Sequence, residues 1–238
     1  MDLSPPTDFG SASAALGAPL SAEQLTTLQH FVQLLLEANQ RFNLTTIRDP
    51  KEAWNRHVLD SLSLVPHLAE LPARARVVDI GSGGGLPGIV LAIACPQLRF
   101  TLIDATGKKV HHIAETAHAL ALGNVDALQG RAEDLARSGA HHRERYQLAV
   151  ARALAPLPVL LELAIPFVTS GGHFLAIKGQ RAAEELQAAQ RALQALHTEM
   201  QSQHPTSTGI VLKFSKLKST PEKYPRRPGE PKRSPLGT

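Results

Sequence analysis

The chain has 238 residues, 25 Lys and Arg against 21 Asp and Glu (formal net charge +4), and 43% hydrophobic residues. That length holds one sizeable core plus an appendage, and no apolar run approaches the roughly 20 residues of a membrane-spanning helix. A single cysteine, Cys95, excludes an internal disulfide and suits a reducing compartment, and 4% aromatics leave few platforms for stacking bases.

Residues 1–20 lack the layout of a secretory leader. Rich in Ser, Ala, Pro and Gly, they read as disordered. Ser21 and Gln24 form a capping box for a helix that runs to about Gln40, with Leu25, Leu28, Val32, Leu35 and Leu36 at helical spacing. Residues 42–46 read as a loop. Asp49, Pro50 and Glu52 supply the N-cap, first-turn proline and box partner of a second helix. Trp54, Val58, Leu62 and Val65 make its inner stripe, and Pro66 and Pro72 close a helical segment spanning 21–72.

From Arg76 the rhythm changes. Strands are expected at 76–80, 99–104, 124–129, 147–151, 173–178 and 208–214, with helices between most of them. The clearest helix, 107–122, turns Val110, Ile113, Ala114, Ala117 and Ala121 inward and Lys108, Lys109 and His112 away. Alternating strands and helices predict an α/β fold over 73–215, a Rossmann-like, mostly parallel sheet with helices on both faces. The last strand reads as antiparallel, closing the sheet edge. Residues 216–238 remain as a basic, proline-rich tail. Between Lys213 and Arg233 there are eight Lys or Arg against two Glu, while the rest of the chain is slightly acidic. Prolines at 221, 225, 228, 231 and 235 make the tail an extended arm suited to a phosphate backbone.

The stretch from Val77 to Gly88, Val-Val-Asp-Ile-Gly-Ser-Gly-Gly-Gly-Leu-Pro-Gly, organises the rest. It reads as strand, glycine loop and helix start, the layout that seats a nucleotide-like cofactor in an open α/β sheet. Gly83-x-Gly85-x-x-Gly88 matches the dinucleotide pattern, so an NAD(P)-dependent oxidoreductase is one reading. However, the strand ends about two residues early, and Asp79 is a poor neighbour for a pyrophosphate. It is a good one for a cation, and S-adenosylmethionine carries a sulfonium and an ammonium and no phosphate. Asp104, at the end of the second strand, is placed to accept from ribose hydroxyls, with Ala105 and Thr106 beside the adenosine. Ala132 and Glu133 face the same sheet edge and are candidates for the adenine; Glu133 also reads as a first-turn helix carboxylate. Arg152 ends the fourth strand, where transferase substrates enter; a substrate-facing cation and a structural ion pair are both open there. Lys178 points to the same rim. Two absences bear on the chemistry. There is no Asp- or Asn-Pro-Pro-aromatic box for exocyclic amines, and no cysteine near Arg152 to attack a pyrimidine. The paired histidines at 111–112 and 141–142 do not have metal-ligand spacing.

Taken together, several stretches resemble the small-subunit ribosomal RNA guanine-N7 methyltransferase family, also called glucose-inhibited division protein B. They are Arg41-Phe42-Asn43-Leu44-Thr45, Arg56-His57-Val58-Leu59-Asp60-Ser61-Leu62, the loop from Val78 to Gly88, Asp104 to Lys109, Arg131-Ala132-Glu133, Ala151-Arg152-Ala153 and Lys178-Gly179. The tail stretch Lys223-Tyr224-Pro225-Arg226 resembles the family's more basic-tailed members. The resemblance implies a class I S-adenosylmethionine-dependent methyltransferase with an N-terminal helical extension. It would be a bacterial cytoplasmic enzyme, expected as a monomer, that methylates N7 of one guanine of 16S ribosomal RNA, free or in a small-subunit assembly intermediate. Cofactor contacts carried over by position are Gly81, Leu86, Asp104, Ala105, Thr106, Ala132, Glu133 and Arg152. The expected RNA contacts are Arg56, His57, Arg152, Lys178, Lys223 and Arg226. Guanine N7 presents an in-plane lone pair, so no catalytic base is expected. A non-catalytic RNA-binding assembly factor is the other alternative.

Overall fold

Along each strand, successive side chains point to opposite faces of the sheet, and here each face has its own core. In the computed structural model, which describes residues 2–237, seven strands form one sheet. They are β1 (Arg76–Ile80), β2 (Arg99–Asp104), β3 (Val125–Gln129), β4 (Tyr146–Arg152), β5 (Val168–Lys178), β6 (Thr198–Pro205) and β7 (Ile210–Lys216). Their order is β3-β2-β1-β4-β5-β7-β6. The first five run parallel, and β7 pairs antiparallel with both β5 and β6.

Val77, Leu102, Leu148, Val150, Leu175 and Ile177 enter one core with the N-terminal helices and the helices Gly88–Ala94 and Gly107–Ala119. Val78, Ile80, Ile103, Ala149, Ala151 and Phe174 enter the other, with the helices Leu157–Ala164 and Gln190–Ala195 and with Tyr224 of the tail. Both faces are covered, as the near-continuous apolar strands require. The N-terminal helical segment therefore shares a core with the sheet. Its long helix, Ala22–Arg41, starts at Ser21 with the expected capping box. At the next helix, Asp49 accepts from the Glu52 amide, but Glu52 turns its carboxylate to Arg56, so only half of the expected box forms.

Four expectations are corrected. Residues 1–20 are not featureless: Phe9–Ala15 is a helix, Phe9 packs edge-on against Trp54 with ring centroids 4.7 Å apart, and Trp54 Nε1 donates to Leu3 O. One buried aromatic outweighs a composition that reads as disorder. The strand β6 was not anticipated, because Thr-Glu-Met-Gln-Ser-Gln-His-Pro is an edge strand with mostly exposed residues and no apolar alternation; β7 consequently lies inside the sheet and not at its edge. His112 is buried and Ala114 exposed, the reverse of the expected helix faces, because the long N-terminal helix packs across this one.

The fourth correction is the tail, which is a strap and not a free arm. Arg143 donates to the carbonyls of Thr220 at 2.6 Å and Tyr224 at 2.7 Å. Tyr224 and Pro231 are buried. Arg226 grips Glu162, whose side chain is fully buried, with Nε to Oε1 at 2.9 Å and Nη2 to Oε2 at 2.6 Å. Counting charges along the tail overlooked the partners waiting on the body of the protein.

Candidate cofactor and substrate cleft

After β1 the chain turns at Gly81, whose φ of +74° and 2.5 Å Cβ approach to Leu154 Cδ1 exclude a side chain. Gly88 is needed for space: a Cβ there would lie 2.6 Å from Leu102 Cγ and 2.8 Å from Asp79 Oδ2. Asp79 Oδ2 accepts the Gly88 amide at 2.9 Å. A first-turn amide of the following helix, the group a pyrophosphate needs, is thus taken by a carboxylate, which argues against the dinucleotide reading. Asp79 is also corrected as a neighbour of the cofactor cation. It is fully buried, staples the loop to its helix, and leaves Oδ1 with no hydrogen-bond partner among the described residues. Burial pushes its pKa up to about 7, against the pull of the Gly88 and Ser82 bonds.

At the carboxyl ends of the strands lie two connected lobes, where open α/β sheets bind ligands. The larger, about 690 Å³, is lined by the glycine loop, Leu86, Arg56, His57, Asp60, Arg152 and Lys178. The smaller, about 340 Å³, is lined by Ala105, Ala132, Glu133, Pro156 and Val159. Gly81, Asp104, Lys109 and Leu154 belong to both. A third cavity of about 720 Å³ sits at the opposite strand ends, among Gln24, Arg74, Leu98 and Asn124, and contains none of the expected site residues.

Asp104 stands at the junction. Its Oδ2 accepts Gly83 N at 3.1 Å and its Oδ1 accepts Thr106 N at 2.8 Å. A carboxylate offers about four acceptor positions, so capacity for a ribose diol remains. Thr106 itself lines neither lobe; it is held by Asp104 and stands at the N-cap position of the helix Gly107–Ala119 without a side-chain capping bond. The small lobe is mostly apolar, with the shared Asp104 and Glu133 as its carboxylates and Lys109, Arg131 and Lys232 among its lining, and the large lobe is polar and cationic. This donor set fits a nucleoside joined to a charged amino acid, which is how S-adenosylmethionine is built.

The large lobe is organised by Arg152. Its Nη1 donates to the Arg56 carbonyl and lies 3.5 Å from Asp60 Oδ2; its Nη2 donates to His57 Nδ1 at 2.7 Å. The guanidinium has no acceptor, so His57 Nδ1 must accept, and the ring proton is assigned to Nε2. Nε2 then donates to Thr45 Oγ1 at 2.8 Å. Burial, and secondarily Arg152, lowers the His57 pKa to about 4, so the ring is neutral near pH 7. Arg56 and His57 lie in a π-helical stretch, Trp54–Leu59, a rare insertion found mostly at functional sites. Asp60 closes the network by accepting from Thr206 and Thr208 in the β6–β7 turn. Lys178 has two partners, Ala155 O at 2.8 Å and Glu185 at 2.6 Å.

Of the expected residues, Gly81, Leu86, Asp104, Arg152, Arg56, His57 and Lys178 meet in the large lobe, and Ala105, Ala132 and Glu133 in the small one. Three are not brought there: Thr106, which stands behind Asp104, and two tail residues. Arg226 is the lock of the strap, and Lys223 Nζ rests 5.2 Å from the Tyr224 ring centroid. Sequence reasoning missed Asp60, Thr45, Thr208 and Leu154. Asp60 and Thr45 carried a signal, each lying inside a stretch that resembles the family; Thr208 and Leu154 carried none.

An antiparallel seventh strand between the fifth and sixth, a glycine loop after β1 and an acid ending β2 define a class I S-adenosylmethionine-dependent methyltransferase. The crystal structure of a ribosomal protein L11 methylase from Lactobacillus delbrueckii superposes with a TM-score of 0.51 at 17% identity, covering 68% of this chain and 79% of that one; it supports the fold alone. The family model of rRNA small subunit methyltransferase G matches residues 24–210. Curated relatives named ribosomal RNA small subunit methyltransferase G include one from Sorangium cellulosum, 42% identical over 228 residues (94% of this chain, 93% of the relative). Another, from Moorella thermoacetica, is 41% identical over 226 residues (92% and 93%). The chain belongs to the rRNA small subunit methyltransferase G family. It is an enzyme, so both the oxidoreductase and the non-catalytic reading fall.

Proposed function

We propose that the chain transfers the methyl group of S-adenosylmethionine to N7 of a guanine in 16S ribosomal RNA, acting in the cytoplasm as a monomer. One observation carries this: among the described residues, every histidine and carboxylate lining the large lobe is already engaged by other protein groups. Both His57 ring nitrogens are engaged. Asp60, Asp104 and Glu185, the carboxylates lining the large lobe, all accept protein hydrogen bonds. Cys95 is buried elsewhere, and burial raises its thiol pKa to about 11. Such a cleft suits a nucleophile that needs no deprotonation, and guanine N7 offers its lone pair in the base plane.

When bound, S-adenosylmethionine supplies an electrophilic methyl on a sulfonium. In this reading Asp104 accepts from the ribose, Ala105, Ala132 and Glu133 surround the adenine, Thr106 holds Asp104 in place through its amide, and Gly81 and Leu86 pass close to the amino-acid end. Arg152 meets both reactants, giving one face to the cofactor and its free N–H groups to guanine O6, an acceptor that arginine reads well. Arg56, more than half exposed on its side chain, is suited to a phosphate. Lys178, already paired, positions the Ala153–Pro156 turn beside Arg152. The guanine must leave its stack to enter. The enzyme's contribution is then alignment and exclusion of water, which accounts for much of a barrier reduction of this type.

The test is to incubate the protein with methyl-labelled S-adenosylmethionine and small-subunit RNA, then map label and chain scission after borohydride and aniline, to which N7-methylguanine is sensitive. A single labelled scission site is expected. Label confined to exocyclic amines or to protein would refute the assignment.

A further inference from the structure

The C-terminal strap reaches the small lobe itself. Gly229, at φ +82°, turns the chain so that its amide donates to Glu133 Oε1 at 2.9 Å. The following turn, Glu230–Arg233, packs on the helix Leu157–Ala164. Pro231, which is buried, and Lys232 complete the lining of the lobe that Ala105 and Ala132 also line. Glu133 Oε2 has no protein donor among the described residues. One oxygen is therefore held by the strap and, at 3.3 Å, by Arg131 Nη2, while the other stays available to an amino group. The segment is held in place from upstream by the Arg226–Glu162 pair and by Arg143.

We propose that residues 229–232 are the outer wall of the nucleoside lobe. Pro231 covers the adenine, and Gly229 orients Glu133 toward the exocyclic amine. Cofactor affinity thereby depends on the C-terminal tail, a segment whose charge suggests RNA. The proposal rests on the assignment of the small lobe to the nucleoside of S-adenosylmethionine.

The test compares the full chain with one ending at Pro228, which keeps Tyr224 and the Arg226–Glu162 pair. Calorimetry is run with S-adenosylmethionine and with adenosine, and thermal unfolding checks that the shortened chain is folded. Losing contacts worth about two methylene groups predicts a roughly tenfold rise in Kd for both ligands, with RNA affinity in the absence of cofactor unchanged. In the full chain, S-adenosylmethionine should slow amide hydrogen exchange at residues 229–233. Equal cofactor affinity in the two chains would overturn the proposal, as would a loss confined to RNA binding. Should the shortened chain fail to fold, unchanged exchange in the full chain would overturn it. If adenosine does not bind the full chain while S-adenosylmethionine does, the lobe assignment falls, and the wall with it.

Discussion

Two arginine–carboxylate pairs lie on opposite sides of the sheet, and their arginine side chains are almost equally exposed: 15% for Arg152 with Asp60, 18% for Arg226 with Glu162. Burial therefore does not distinguish them; saturation does. Arg226 meets a fully buried carboxylate in fork geometry, and its backbone amide adds a third bond at 2.9 Å. Nothing in that arrangement waits for a ligand. Arg152 spreads its donors over a carbonyl, an imidazole and a carboxylate 3.5 Å away, leaving Nε–H and one Nη2–H without a protein partner among the described residues. It is aimed but not used up, and it faces a cleft. The basic tail and the basic cleft look alike in composition, but one is a lock and the other a site.

The comparison breaks most visibly at the lock. Arg226→Ala leaves Glu162 buried without its cation, which costs roughly 3–5 kcal/mol. Urea unfolding should report that loss, and an unchanged midpoint would restore the tail as a solvated arm. Replacing both partners with apolar residues of similar size should cost far less, because no charge is then stranded.

At the site, perturbing the aim should cost rate and not stability. His57→Ala frees Nη2 of Arg152, and a misplacement on the order of 1 Å lowers methyl transfer by about 10²-fold. The unfolding midpoint should move little, and His57→Asn, which restores an acceptor, should recover part of the rate. A matching fall in stability would make His57 a core residue only.

Next comes Asp104→Ala, which removes a carboxylate expected to hold the ribose. S-adenosylmethionine binding should weaken by roughly 1.5–3 kcal/mol in calorimetry. No change would show that Asp104 serves only the Gly83 and Thr106 amides.

The effect that builds most gradually sharpens the contrast by pH. Asp79 has a folded pKa of about 7 against an ordinary value of 3.8. Through that window the folded protein keeps a proton that the unfolded chain has released, so stability falls as pH rises and levels off above about 7. Asp79→Asn should lack this slope, which is at most about 1.4 kcal/mol per pH unit. Parallel unfolding curves for the two proteins across the window would contradict the buried, half-satisfied carboxylate.

Much of this was legible in the sequence, and the limits have physical causes. The strands β1 and β2 were placed to the residue, because Val-Val-Asp-Ile and Phe-Thr-Leu-Ile are buried runs bounded by turn signals. The strand β6 is polar because solvent reaches it, so no periodicity marks it. The loop, the acid ending β2 and the arginine ending β4 were visible as local patterns. Arg152's partners were not: Arg56, His57 and Asp60 lie more than ninety positions earlier and reach it only through the π-helical stretch. The tail misled for the same reason. Its charges are local, but Glu162, Arg143 and Glu133, which bind it, are not.

The most direct measurement is single-turnover methyl transfer to small-subunit RNA at saturating S-adenosylmethionine, with Arg152→Ala beside the unaltered protein. If Arg152 holds the reactants in line, the transfer rate falls by about 10²-fold while the unfolding midpoint stays near that of the parent, since Asp60 keeps Thr206 and Thr208 as donors. An unchanged rate, or a loss explained entirely by unfolding, would contradict the account and make Arg152 a second lock.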